Sequence, residues 1–115
     1  MTRFIARAKE IKLGDPFNEG INQGPQVSKI QYDRIMGYIQ SGKEQGAKCI
    51  LGGDGHGTEG YFINPTIFTD VKTDMKIVQE EIFGPVGVVI KFETEEGTPA
   101  FLAQNHTDAD CLYQR

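Results

Sequence analysis

The chain has 115 residues, with 12 Lys and Arg against 16 Asp and Glu and a formal net charge of −4. That length suits one small domain with a modest core, and the scattered cations leave no footprint for nucleic acid or an anionic membrane. No apolar run is long enough for a membrane span, the first residues lack a signal-peptide core, and two cysteines make no disulfide framework, so the expected location is cytoplasmic.

Phe4, Ile5 and Ala8 fall on one side of a helical projection, with Arg3, Arg7, Lys9 and Glu10 on the others. This predicts a helix that runs out near the turn signal Gly14-Asp15-Pro16. The following loop, punctuated by Asn18, Gly20, Asn22, Gly24 and Pro25, is long for a compact domain and is expected to lie across another surface. Ser28 and Gln31 read as a capping box, hydroxyl and amide each closing a backbone donor. Tyr32, Ile35, Met36 and Ile39 then make one apolar stripe, Lys43 suits the last turn, and Gly46 is placed for a left-handed C-cap.

Lys48 to Leu51 predicts a short strand. Next, Gly55-His56-Gly57-Thr58-Glu59-Gly60 matches G-x-G-x-x-G, but Tyr61 to Pro65 follows, extended and proline-broken, where a pyrophosphate would need a helix N-terminus. The match is rejected as a phosphate loop. Tyr61 to Phe68 should be extended, with Pro65 forcing an edge or a bulge. Asp74 is expected to cap a short helical turn through Met75, Ile77 and Val78, and Val86 to Phe92 is the clearest strand, apolar enough from Val86 to Ile90 to be buried on both faces. A helix is expected from Glu95, spoiled in its first turns by Gly97-Thr98-Pro99. Helices alternating with such strands give an α/β fold class with a mostly parallel sheet, and no repeat or linker marks a second domain.

Between the last turn and the last strand lies Gln79-Glu80-Glu81-Ile82-Phe83-Gly84-Pro85-Val86. Gly84 can adopt a backbone angle closed to other residues and Pro85 fixes the next one, so the turn aims Glu81 and Phe83 at a fixed point. That offers a ligand a polar acceptor and a flat apolar ring. The plain alternative is an ordinary turn with both glutamates solvated.

Glu80-Glu81-Ile82-Phe83-Gly84-Pro85-Val86 resembles the glutamate-rich cofactor motif of the NAD(P)-dependent aldehyde dehydrogenase superfamily. Gly60 to Phe68 resembles the segment preceding that motif, and Gly24-Pro25-Gln26-Val27 and Gly14-Asp15-Pro16-Phe17 follow the family's order and spacing. The likeness covers residues 4–93 and an internal part of the catalytic domain. It implies a segment 1–105 of aldehyde dehydrogenase type, and a divergent tail 106–115 in which Asp108 and Asp110 suit a buried strand poorly.

The resemblance also implies a chemistry. A cysteine thiolate attacks the aldehyde, hydride passes to NAD or NADP, and a glutamate activates the water that releases the acid. Glu81 matches the glutamate that hydrogen-bonds the nicotinamide-side ribose, and Phe83 matches the aromatic beside the nicotinamide. Neither Cys49, within Ala47-Lys48-Cys49-Ile50, nor Cys111, in the divergent tail, stands in the Gly-Gln-Cys context of the family nucleophile. His56 and His106 are isolated and make no metal-ligand spacing with the cysteines, so no metal site is expected.

The expected function is therefore a truncated aldehyde dehydrogenase-like protein, inactive alone and doubtful as a cofactor binder without the nucleotide-binding domain. One alternative is a small interaction module that forms homo-oligomers or docks on full-length relatives. Another is a non-redox acid–base enzyme using Glu81, if burial raised its pKa.

Overall fold

A computed structural model of the chain describes residues 1–91, which form three helices and a three-stranded sheet. The helix expected from Glu95, the end of the last strand at Phe92, and the boundary between residues 105 and 106 lie outside the described residues.

Helix α1 spans Thr2–Lys9 and buries no residue fully. It stops at Lys9, short of the Gly14 turn, because the chain beyond Lys12 closes on itself. Asn22 and Gln23 donate backbone N–H groups to the Lys12 carbonyl at 2.9 and 3.2 Å, and Lys12 donates to the Asn22 side chain at 3.0 Å. The long loop is thus an internally bonded compact loop as well as a covering one. Its far end is pinned to the sheet side by Gln23 Nε2 donating to the Ile63 carbonyl at 3.1 Å and Gln26 N to the Tyr61 carbonyl at 2.8 Å.

Helix α2, Lys29–Glu44, starts where the stripe predicts: Ser28 is extended, and its hydroxyl accepts the Gln31 N–H at 3.2 Å. Only this half of the capping box forms, because the Gln31 amide is used elsewhere. At the other end Gly46 has φ +90, its N–H reaches the Lys43 carbonyl and that of Ala47 reaches Gly42 at 2.9 Å, the paired bonds of a Schellman ending. Ile35, Tyr38, Ile39 and Gly42 are its buried face.

Strand β1, Lys48–Leu51, pairs antiparallel with β2, Thr66–Thr69, with an irregularity between Cys49 and Leu51. β2 pairs parallel with β3, Val86–Val88, so the sheet is mixed and β2 is central. Every residue of β2 is buried. Pro65 forces neither an edge nor a bulge in β2; it stands just before the first residue of the strand, where its missing N–H removes no ladder bond. Tyr61 to Phe68 is not one extended run, since only Ile63, bridged to Gly55, and the residues from Thr66 pair. No helix follows Gly60, so the glycine run lacks the helix N-terminus a phosphate would need.

Helix α3 is a single turn, Lys76–Gln79. Asp74 does not cap it: Met75 holds the N-cap position without a side-chain bond, and the Lys76 N–H is satisfied by Gln45 Oε1, from the end of α2, at 2.9 Å. β3 is half-buried rather than covered on both faces, although Val89 just beyond it is buried and donates to the Phe68 carbonyl at 2.9 Å. Strand alternation sorts the core. Phe68 packs with Ile35, Ile39, Met75, Ile77 and Val78 beneath α2 and α3, whereas Ile67 lines a cleft with Phe4 of α1.

Candidate functional site

The site is built where α3 hands the chain to β3. Glu80 N donates to the Lys76 carbonyl at 3.0 Å, the last bond of α3. Two three-residue turns follow: Gly84 N donates to the Ile82 carbonyl and Val86 N to the Gly84 carbonyl, each at 2.8 Å. Phe83 and Pro85 occupy the central positions, which suits the fixed φ of proline. Phe83 is 65% exposed, Glu81 is exposed, and Ile82 packs against the core.

Gly84 is required for a reason other than the one its position in a turn suggests. It is not among the glycines with positive φ. A Cβ built on it would instead lie 2.5 Å from Ile35 Cδ1, so the motif backbone rests directly on an α2 side chain that is 1% exposed.

Two hydrogen bonds hold the same segment to the same helix. Gln31 Nε2 donates to the Phe83 carbonyl at 2.7 Å, and the Tyr38 hydroxyl donates to Glu80 Oε2 at 2.7 Å. Lys76 Nζ lies 5.0 Å from the Tyr38 ring centroid, a cation–π distance that adds to the anchoring. Gln31, Ile35 and Tyr38 follow one another at four- and three-residue spacing and share one helix face. The opposite flank of the motif, at Gly84, Pro85 and Val86, borders a largely apolar cleft of about 420 Å³ shared with Phe4, Ala8 and Ile67.

The sequence-predicted residues separate clearly. Glu81 and Phe83 stand on the same short segment, both open to solvent. Cys49 is half-buried in β1, its thiol directed at the carbonyls of Leu51 and Gly52 at 3.3 and 3.6 Å. His56 is an exposed loop residue whose Nδ1 lies 3.1 Å from Asn64 Oδ1. Among the described residues no group of His, Cys, Asp and Glu could hold a metal ion. Cys111 and His106 lie outside the described residues. At the start of α2, the hydrogen bond to Asp33 at 2.5 Å and its negative charge raise the Lys29 amine above its ordinary value of 10.5. The sequence pattern does not mark Gln31 and Tyr38 as site residues. The signal available for them is the helical face that Gln31 and Tyr38 share with Ile35 of the apolar stripe, where a tyrosine hydroxyl needs a partner if buried.

Comparison with known proteins agrees with the motif. The model of the aldehyde dehydrogenase family matches residues 1–108. An aldehyde dehydrogenase of Agaricus bisporus is 68% identical over 93 residues, 81% of this chain and 19% of that protein. One from Emericella nidulans is 56% identical over 108 residues, 94% of this chain and 21% of that protein. The NAD+ complex of aldehyde dehydrogenase from Bacillus cereus superimposes with a TM-score of 0.84 at 43% identity, covering 87% of this chain and 20% of that structure. The chain thus spans about a fifth of the length of the relatives it matches. No described helix is long and apolar enough to cross a membrane.

Proposed function

Because the chain belongs to the aldehyde dehydrogenase family, we propose that its Glu80–Val86 segment is the part of an NAD(P)-dependent, aldehyde-oxidising catalytic domain that faces the nicotinamide end of the cofactor. The cofactor, when bound, accepts the hydride released as the aldehyde becomes a carboxylic acid. Glu81 accepts hydrogen bonds from the ribose hydroxyls, and Phe83 offers its ring face to the nicotinamide. The observation that carries this reading is that both side chains are solvent-accessible on a segment held to α2 at Glu80 and at the Phe83 carbonyl. The residues fit the group: an acceptor and an aromatic face are presented together, and the backbone between them is held.

These 115 residues do not oxidise aldehydes on their own in this reading. Cys49 belongs to β1, the sheet edge opposite β3 and the motif that leads into it, and its thiol is directed at backbone carbonyls. A proton-shuttling role for Glu81 without a nicotinamide has less support, because Glu81 is exposed and lacks the burial that role requires. For an interaction module, docking on a full-length relative or a second copy, the exposed apolar side chains Phe17 and Val27, at 95% and 91%, are single residues of a kind ordinary on protein surfaces, so that reading has less support.

The test is a titration of the ¹⁵N-labelled chain with nicotinamide mononucleotide and with NAD. With this segment alone in the tube, binding on the order of millimolar is expected. The amide signals of Glu81 and Phe83 should shift, and Glu81→Gln should weaken the response. Shifts confined to other residues, or none at saturating ligand, would remove the reading. Reduced nicotinamide appearing with added aldehyde would overturn the inactivity of the isolated chain.

A further inference from the structure

We propose that Gln31 and Tyr38 are positioning residues, one face of α2 acting as a template that sets where Glu81 and Phe83 point. The proposal deepens the cofactor-facing reading of this segment and rests on it.

A segment of alternating three-residue turns has few bonds of its own, and such turns are individually weak. The described backbone bonds within it link Gly84 to Ile82 and Val86 to Gly84, leaving Glu81 and Phe83 N–H groups without a bond that fixes their direction. What fixes the segment comes from outside. Gln31 takes the carbonyl of Phe83, next to the exposed ring, and Tyr38 takes the carboxylate of Glu80, next to Glu81. Ile35, between them on the helix, fills the space a Cβ on Gly84 would occupy. The three contacts bracket the two ligand-facing side chains, so the helix defines their separation and direction. A site whose groups are locked before the ligand arrives loses less entropy on binding.

Neither hydrogen bond is needed for the core itself. Gln31 is at the first turn of α2, its amide bond is solvent-exposed, and Tyr38 keeps its ring buried whether or not its hydroxyl is present. Removing either donor should therefore loosen the motif more than the fold. Removing the Gln31 donor also leaves the Ser28 cap intact, because that bond uses the Gln31 backbone.

The experiment compares the full chain with Gln31→Glu, Tyr38→Phe and the double variant by ¹⁵N relaxation, alongside thermal unfolding. In the parent, the amide order parameters of residues 81–83 should match the rigid backbone, about 0.85, and in the double variant they should fall towards 0.6 or lower. Values within β2 should not change. Gln31→Lys keeps a donor at this position and should keep the order that Gln31→Glu loses, which a purely structural effect of changing the Gln31 side chain would not do. Order parameters unchanged at residues 81–83 in a folded double variant overturn the proposal. So does a parent chain in which these residues are already mobile. The cofactor reading is judged separately by adding nicotinamide mononucleotide. Failure of the parent to respond removes that reading while the relaxation result still decides the template. A parent that responds, with a severalfold weaker response in the double variant, supports both.

Discussion

Ile35 Cδ1 lies 2.5 Å from the point where a Cβ on Gly84 would stand, and Ile35 Cγ1 and Cγ2 lie at 2.9 and 3.1 Å from it. Three atoms of one β-branched side chain thus fill the place of a side chain at the heart of the motif. Ile35 is 1% exposed and sits in the main core, so it cannot swing aside cheaply.

Gly84→Ala should therefore destabilise the chain by about 1–3 kcal/mol, the usual range for forcing extra volume into a packed site. Urea unfolding measures this directly. Ile35→Val removes the closest atom and alone should cost about 0.5–1.5 kcal/mol. Combined, the two substitutions should cost less than their sum, since the smaller side chain makes room for the added methyl. Strict additivity would mean that the two residues do not meet.

Two glycines of α2 should respond oppositely to the same change. Gly37 is exposed and nothing lies within 4 Å of its would-be Cβ, so Gly37→Ala should gain about 0.5–1 kcal/mol from helix propensity. Gly42 is buried, and its Cβ would meet Ile77 Cδ1 at 2.9 Å and Phe68 Cε1 at 3.3 Å, both in the core. There the crowding outweighs the propensity gain, and Gly42→Ala should lower stability. A gain at both sites would mean that α3 yields freely to α2.

The sequence made some of this legible and hid the rest for physical reasons. The stripe of α2, its Ser28 start and its Gly46 ending are local, and each formed where the pattern put it. Glu81 and Phe83 could be singled out because turn chemistry and family resemblance coincide there. The reason for Gly84 is not legible there, since a packing contact with Ile35, remote in sequence, leaves no mark in a turn motif. The capping pattern gives the Gln31 amide to its own helix end, but a bond to the Phe83 carbonyl, 52 residues away, claims it. Asp74 lost its capping role to Gln45 for the same reason, a tertiary donor–acceptor match overriding a local preference. The long reach of Val86 to Ile90 as an apolar run likewise did not reveal that β3 would be only half-buried.

Lys29 gives a pH-dependent prediction. Its amine is raised above 10.5 by the hydrogen bond and charge of Asp33, so on the alkaline side the pair's contribution is fully present below that value while Asp33 is ionised. It is lost as pH rises through the folded-state pKa of Lys29. Asp33→Asn should return the Lys29 titration, followed by side-chain NMR, towards 10.5, and added salt should shrink the difference because the pair is exposed. An unchanged Lys29 titration in Asp33→Asn would show that the pair does not persist in solution.

Asp70, at the end of β2, has φ +54, the one described non-glycine residue in the left-handed region. Asp and Asn tolerate that conformation because a short polar side chain can bond locally, whereas a β-branched residue cannot enter it without strain. Asp70→Asn should therefore change stability little, apart from the exposed pairing with Lys91 at 3.6 Å, worth about 0–1 kcal/mol. Asp70→Val should cost about 1–3 kcal/mol more than Asp70→Asn, because both lose the charge and only one meets the backbone strain. Asp70→Gly isolates the conformational effect: it loses the charge too, yet relieves the strain, and it should fall near Asp70→Asn in a thermal unfolding series. If Val and Asn gave the same midpoint, the chain leaving β2 would have relaxed to an extended angle. The register of β2 beside β3, which places Thr66 opposite Val86 at the exit of the motif, would then be the next relationship to measure.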